Sequence, residues 1–116
     1  MVKPFNNVTN SLTQHLVIIV PSTDYDKSVG VKKREEETQR VLSKLFGGTT
    51  SVRAVGTYMS QEGKLIKERV SEVEIFTTPQ AWEKNKDALT RWLLAKKREW
   101  KQEALAIKYE EDMFWV

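Results

Sequence analysis

The stretch that most limits what this chain can fold into is Leu16-Val17-Ile18-Ile19-Val20-Pro21, its longest unbroken apolar run. Apolar at almost every position from His15 to Val20, it reads as a strand covered on both faces, and it falls far short of the roughly 20 residues that a membrane span needs. Pro21 ends it, since proline lacks the N–H that a neighbouring strand would use. Residues 22–30 then turn polar, with Ser22, Thr23, Asp24, Asp26, Ser28 and Gly30. Side chains at the end of a central strand are held by the scaffold yet open to solvent, so this loop is the first place to look for a site.

The rest of the chain supplies neighbours for that strand. Val31 or Lys32 opens a helix with Thr38, Val41, Leu42, Leu45 and Phe46 at helical spacing, and Gly47 with Gly48 stops it. Residues 50–59 alternate as a strand, residues 60–63 turn, and residues 64–77 return. Thr78 and Pro79 form the N-cap and first turn of a second helix, whose inward stripe holds Trp82, Leu89, Trp92 and Leu93. Residues 103–110 make a last strand through Leu105, Ile107 and Tyr109, followed by the apolar tail Met113, Phe114, Trp115 and Val116. This order predicts an α+β chain of ferredoxin-like βαββαβ type, a four-stranded antiparallel sheet with both helices on one face. We read Met1–Val116 as a single domain, with residues 1–14 an irregular arm and residues 15–116 the ferredoxin-like body.

The motifs also carry a resemblance. The strand ending Pro21-Ser22-Thr23-Asp24, the helix ending Phe46-Gly47-Gly48-Thr49-Thr50, Gly56-Thr57-Tyr58 before the hairpin and Gly63-Lys64-Leu65-Ile66-Lys67-Glu68 after it resemble a group of small uncharacterised bacterial and phage-type proteins. The resemblance implies a ferredoxin-like fold and no established activity.

Charge and composition remove several functions. The formal net charge is +3, but Lys32, Lys33 and Arg34 run straight into Glu35, Glu36 and Glu37, whereas a phosphate-tracking surface shows like charge along a stripe. The strand after the hairpin carries Glu68, Glu72 and Glu74 where an RNA-recognition sheet would offer stacking rings, so a nucleic-acid partner is not expected. With no cysteine there is no disulfide, thiol nucleophile or cysteine zinc site, and with His15 alone there is no multi-histidine metal site within one chain. The first ten residues lack the apolar segment of a secretory signal, so a cytoplasmic chain away from membranes is expected.

Two functional readings follow. In the first, Ser22, Thr23, Asp24, Asp26, Ser28, Lys32 and Lys33 surround a small anionic ligand near the start of the first helix, where free amides and the helix field favour negative charge. That makes a non-enzymatic binding protein with no catalytic residue and no cofactor, recognising a protein partner or a small anionic ligand. In the second, Asp24, Asp26 and Glu68 converge on Mg²⁺ in a carboxylate-metal phosphodiesterase or nuclease. The first reading is preferred, because Asp, Ser and Thr in loops more often bond their own backbone than a metal. Strand parity adds a homodimer through the open sheet face. His15, Val17 and Ile19 point one way and Leu16, Ile18 and Val20 the other, and two helices on one side leave one set uncovered.

Overall fold

The computed structural model describes residues 5–6, 11–24 and 27–116. Most of the expected arm, residues 1–4 and 7–10, lies outside the described residues, and so does Asp26. In chain order the elements are β1 (Gln14–Pro21), β2 (Thr23–Asp24), β3 (Lys27–Ser28), α1 (Lys32–Phe46), β4 (Thr50–Met59), β5 (Leu65–Thr77), α2 (Pro79–Glu99), β6 (Ala106–Tyr109) and β7 (Asp112–Trp115). No helix among the described residues is long and apolar enough to cross a membrane.

The α+β class is the one expected, but the four-stranded ferredoxin-like sheet is not what forms. The sheet has five strands, all antiparallel to their neighbours, in the order β4-β5-β1-β6-β7. The apolar tail supplies the fifth strand: Glu110 and Glu111 make a tight loop, and Asp112–Trp115 folds back along β6. Glu110 takes left-handed backbone, φ 56°. Its N–H donates to the His15 carbonyl at 2.9 Å, and its Oε1 accepts from the His15 N–H at 3.2 Å. The expected last strand of residues 103–110 is therefore cut to four residues and becomes half of a hairpin. The polar loop is also less irregular than expected, since β2 and β3 pair as a miniature hairpin with Thr23 opposite Ser28.

The apolar run sits at the middle of the sheet, and the two faces of β1 have different covers. Leu16, Ile18 and Val20 pack beneath the helices with Leu42, Leu89, Leu93 and Trp100. Val17, on the helix-free face, is only 6% exposed. Ionic side chains on neighbouring strands account for this: His15 Nε2 meets Glu74 at 2.7 Å, and Lys108 Nζ meets Glu72 at 2.9 Å. The register places Glu74 and Lys108 directly beside Val17, so their alkyl stems cover it while their charged heads stay wet. Apolar exposure moves to the margins of this face, to Val52, Tyr58, Phe76 and Trp115.

Candidate active site

The site arises where two strands differ in length. Pairing of β1 with β5 stops at Pro21 opposite Val70, while β5 begins earlier, at Leu65. Residues 65–69 thus have β4 on one side and, on the other, the chain as it turns away from β1. Glu68 reaches across this gap. Its Oε1 accepts three hydrogen bonds, from the Ser22 N–H at 3.1 Å, the Thr23 N–H at 3.2 Å and the Thr23 hydroxyl at 2.7 Å. Its Oε2 has no hydrogen-bond partner among the described residues.

Successive backbone N–H groups aimed at one point form a nest for an anion. Here the protein's own carboxylate fills it. The carbonyl side of the same chain segment is equally committed: Arg34 Nη1 donates to the Pro21 carbonyl at 3.2 Å and the Thr23 carbonyl at 2.7 Å, and Gln102 Nε2 donates to the Thr23 carbonyl at 2.8 Å. The Ser22 carbonyl takes the N–H groups of Val29 at 2.8 Å and Gly30 at 3.1 Å. Gly30 needs φ 84° to close that loop, which glycine adopts without steric cost. Its amide is therefore spent inside the loop.

Glu68 stands where three hollows meet. A cleft of about 750 Å³ is walled by Ser22, Thr23, Ser28, Lys32, Lys33, Glu36, Arg53, Lys67, Glu68 and Arg69. Arg53 is held by Glu35 through two hydrogen bonds of 2.7 and 2.9 Å. Lys32, Lys33, Lys67 and Arg69 form no ion pair among the described residues, which leaves the cleft strongly cationic apart from Glu36 and Glu68. On the open sheet face, a groove of about 330 Å³ runs past Glu68 between Ile19, Pro21, Tyr58, Val70, Leu105 and Trp115. Gly56 lies opposite Glu68 in the register, so the floor there is bare backbone. A third hollow of about 530 Å³ shares Thr23, Tyr58, Glu68, Gln102 and Trp115. The volumes are those of small-molecule sites.

Of the residues singled out in the sequence, Ser22, Thr23, Ser28, Lys32 and Lys33 all line the cationic cleft. Asp24 does not; its Oδ2 lies 3.5 Å from Lys101 Nζ, and its Oδ1 is buried without a hydrogen bond among the described residues. Glu68 is engaged with backbone amides, and among the described residues, which leave out Asp26, no group of three or more His, Cys, Asp or Glu could hold a metal ion. Arg34 and Gln102 were missed. The signal for Arg34 was its spacing, four residues before Thr38 and eight before Leu42, on the inward stripe of α1. Gln102 has no comparable signal, since it reaches the loop from the far end of the chain.

Arg34 is 9% exposed, and its guanidinium lies 5.4 Å from the ring centre of Trp100. Burial pulls its pKa below the ordinary arginine value, and the nearby negative charges of Asp24 and Glu68 oppose that shift. The residue stays a cation throughout the usual pH range.

No family model matches the chain, and no curated protein matches it. Two solved structures share its fold. One is a phage SAM lyase in complex with S-methyl-5'-thioadenosine, with TM-score 0.68 and 15% identity, covering 95% of this chain and 95% of that one. The other is a phage SAM lyase in the apo state, with TM-score 0.68 and 16% identity, covering 97% of this chain and 94% of that one. Likeness at this identity establishes the fold alone. The neighbours are phage proteins, as the motif resemblance implied, but no uncharacterised family is among the matches. The functional expectation is corrected: the two structural neighbours are SAM lyases, which conflicts with a non-enzymatic binding protein and lends nothing to a carboxylate-metal phosphodiesterase.

Proposed function

We propose that this chain is a lyase that cleaves S-adenosylmethionine to S-methyl-5'-thioadenosine, with Glu68 facing the sulfonium. The observation that carries the reading is the state of Glu68, with three donors on Oε1 and, among the described residues, none on Oε2, where a cationic cleft meets an aromatic groove. A fold shared over 95% of both chains with a SAM lyase supports it. Substrate and site match in sign at both ends. The sulfonium is a permanent cation and Oε2 is a fixed anionic acceptor. The substrate's α-carboxylate suits Lys32, Lys33, Lys67 and Arg69, with the hydroxyls of Ser22, Thr23 and Ser28 beside them. The adenosyl rings suit the groove of Tyr58 and Trp115. Asp24, behind the loop with Lys101, takes no part.

The product defines the bond that breaks. A thioether that keeps both the methyl and adenosyl groups forms only if sulfur parts from Cγ of the amino-acid arm and takes both bonding electrons. A lyase adds no water, so the vacated carbon is closed by an oxygen of the substrate's own carboxylate, giving a lactone. Atoms and charges balance with no co-reactant, because the sulfonium and the carboxylate neutralise each other. Losing two opposite charges is favoured beside surfaces less polar than water, and the apolar side chains of the groove supply such a wall.

The test is to incubate the purified chain with S-adenosylmethionine and separate the products by chromatography with mass detection. S-methyl-5'-thioadenosine together with the lactone is expected, and neither product from the wild type overturns the reading. Glu68→Gln keeps an oxygen for the three donors and loses the charge. It should raise KM by about tenfold or more, as expected for a lost charge-assisted contact, with Tm nearly unchanged.

A further inference from the structure

We infer that Arg34 is a positioning residue that aims the Ser22 amide at Glu68 through a single peptide plane. The Pro21 carbonyl and the Ser22 N–H belong to one trans peptide unit, so they point in opposite directions. Arg34 Nη1 holds the carbonyl at 3.2 Å, and Glu68 Oε1 receives the N–H at 3.1 Å. A guanidinium on one side of the plane thereby sets the carboxylate on the other, without touching it. The same nitrogen holds the Thr23 carbonyl at 2.7 Å, so one cationic group brackets the two residues that carry the nest. The next plane is built alike, with the Val29 and Gly30 amides on the Ser22 carbonyl and the Thr23 N–H on Glu68.

The guanidinium is itself immobilised. It is buried, lies over Trp100, and comes from α1, whose own backbone is fixed by the core through Thr38 and Leu42. Burying a charge on backbone carbonyls is expensive, and the nearby charges of Asp24 and Glu68 offset it in part without forming an ion pair with it among the described residues. A packing role would be served more cheaply by methionine. The geometry explains why a double donor stands here: both bonds leave Nη1, and the planar guanidinium fixes the directions of its two N–H groups, which a rotating lysine ammonium does not.

The inference deepens the proposed lyase reading and rests on it for the kinetic arm only. Four variants test it: Arg34→Met, Arg34→Lys, Glu68→Gln and the double variant Arg34→Met with Glu68→Gln. By amide exchange in nuclear magnetic resonance, Arg34→Met should speed exchange of the Ser22 and Thr23 amides by about tenfold while Val17 and Ile18 in β1 keep their protection, with Arg34→Lys intermediate. If Arg34→Met does not fold, Arg34→Lys carries the same comparison. In the kinetic arm, Arg34→Met should raise KM for S-adenosylmethionine, and the double variant Arg34→Met with Glu68→Gln should be no worse than Glu68→Gln alone, because both changes act through one carboxylate. Unchanged Ser22 and Thr23 exchange, or fully additive losses, would overturn the positioning role. A wild type that makes no thioether defeats the lyase reading and leaves the exchange comparison to decide the role of Arg34.

Discussion

Glu35, in the first turn of α1, takes both Arg53 hydrogen bonds and a third from the buried Ser71 hydroxyl. The Arg53 bonds, and then the Ser71 bond, hold its carboxyl below the ordinary glutamate value of 4.5 against the opposing effect of burial. A depressed folded value means stability that is fully present above about pH 4.5 and is lost as pH falls through the lower folded value. Denaturant midpoints measured from neutral pH down to about pH 3 should therefore fall in the acid range. Glu35→Gln should be less stable at neutral pH and show a shallower acid decline. An unchanged pH slope would remove Glu35 from the linkage. None of this was visible in the run Lys33-Arg34-Glu35-Glu36, where the charges read as a solvated face. Neighbours in sequence have opposite fates here: Arg34 is buried against Trp100 while Lys33 lines the cleft, because successive helical residues point about 100° apart.

Helix ends were legible because their chemistry is local. Thr78 Oγ1 accepts from the Ala81 N–H at 3.1 Å, with Pro79 at the first helical position, and Gly47 closes α1 with φ 104° and a 2.8 Å bond from its N–H to the Ser43 carbonyl. A Cβ on Gly47 would meet nothing within 4 Å, so Gly47→Ala carries the backbone penalty alone. It should lower stability by about 1 kcal/mol in a urea titration. Gly48→Ala, with equal space and no left-handed φ, should leave the midpoint within about 0.5 kcal/mol of the wild type. Equal losses at both positions would show that the cap is not the cause. The β6–β7 hairpin escaped notice for the converse reason. Its Glu110-Glu111 loop contains neither Gly nor Asn, and the left-handed turn is held by His15, some ninety-five positions away.

At the scale of the molecule, the expected pairing through the open sheet face meets a surface unlike the one strand parity suggested. Its centre is roofed by the His15–Glu74 and Lys108–Glu72 pairs, and its apolar side chains stand at the edges. We still expect self-association, now driven by the margins, where Trp115 is 72% exposed and Val52 57%. Light scattering should give a mass above the 13.5 kDa of one chain, twice that for face-to-face pairing, and Trp115→Ser should reduce it. A strictly monomeric mass would remove the proposal.

The sequence alone determined both helices and the strands β1, β4 and β5, because apolar period, caps and turn residues act over a few positions. It determined that β1 would be covered on both faces and that Thr78 and Gly47 would bound the helices. Only the tertiary structure decided the rest. Whether an apolar tail becomes a fifth strand depends on a partner edge being free, which is a property of the sheet and not of the segment. Whether Glu68 is a metal ligand or the occupant of a nest depends on amides 45 and 46 positions away and on a guanidinium from another element behind them. Such directions are set by peptide planes and packing across the fold, and no local pattern of side chains encodes them.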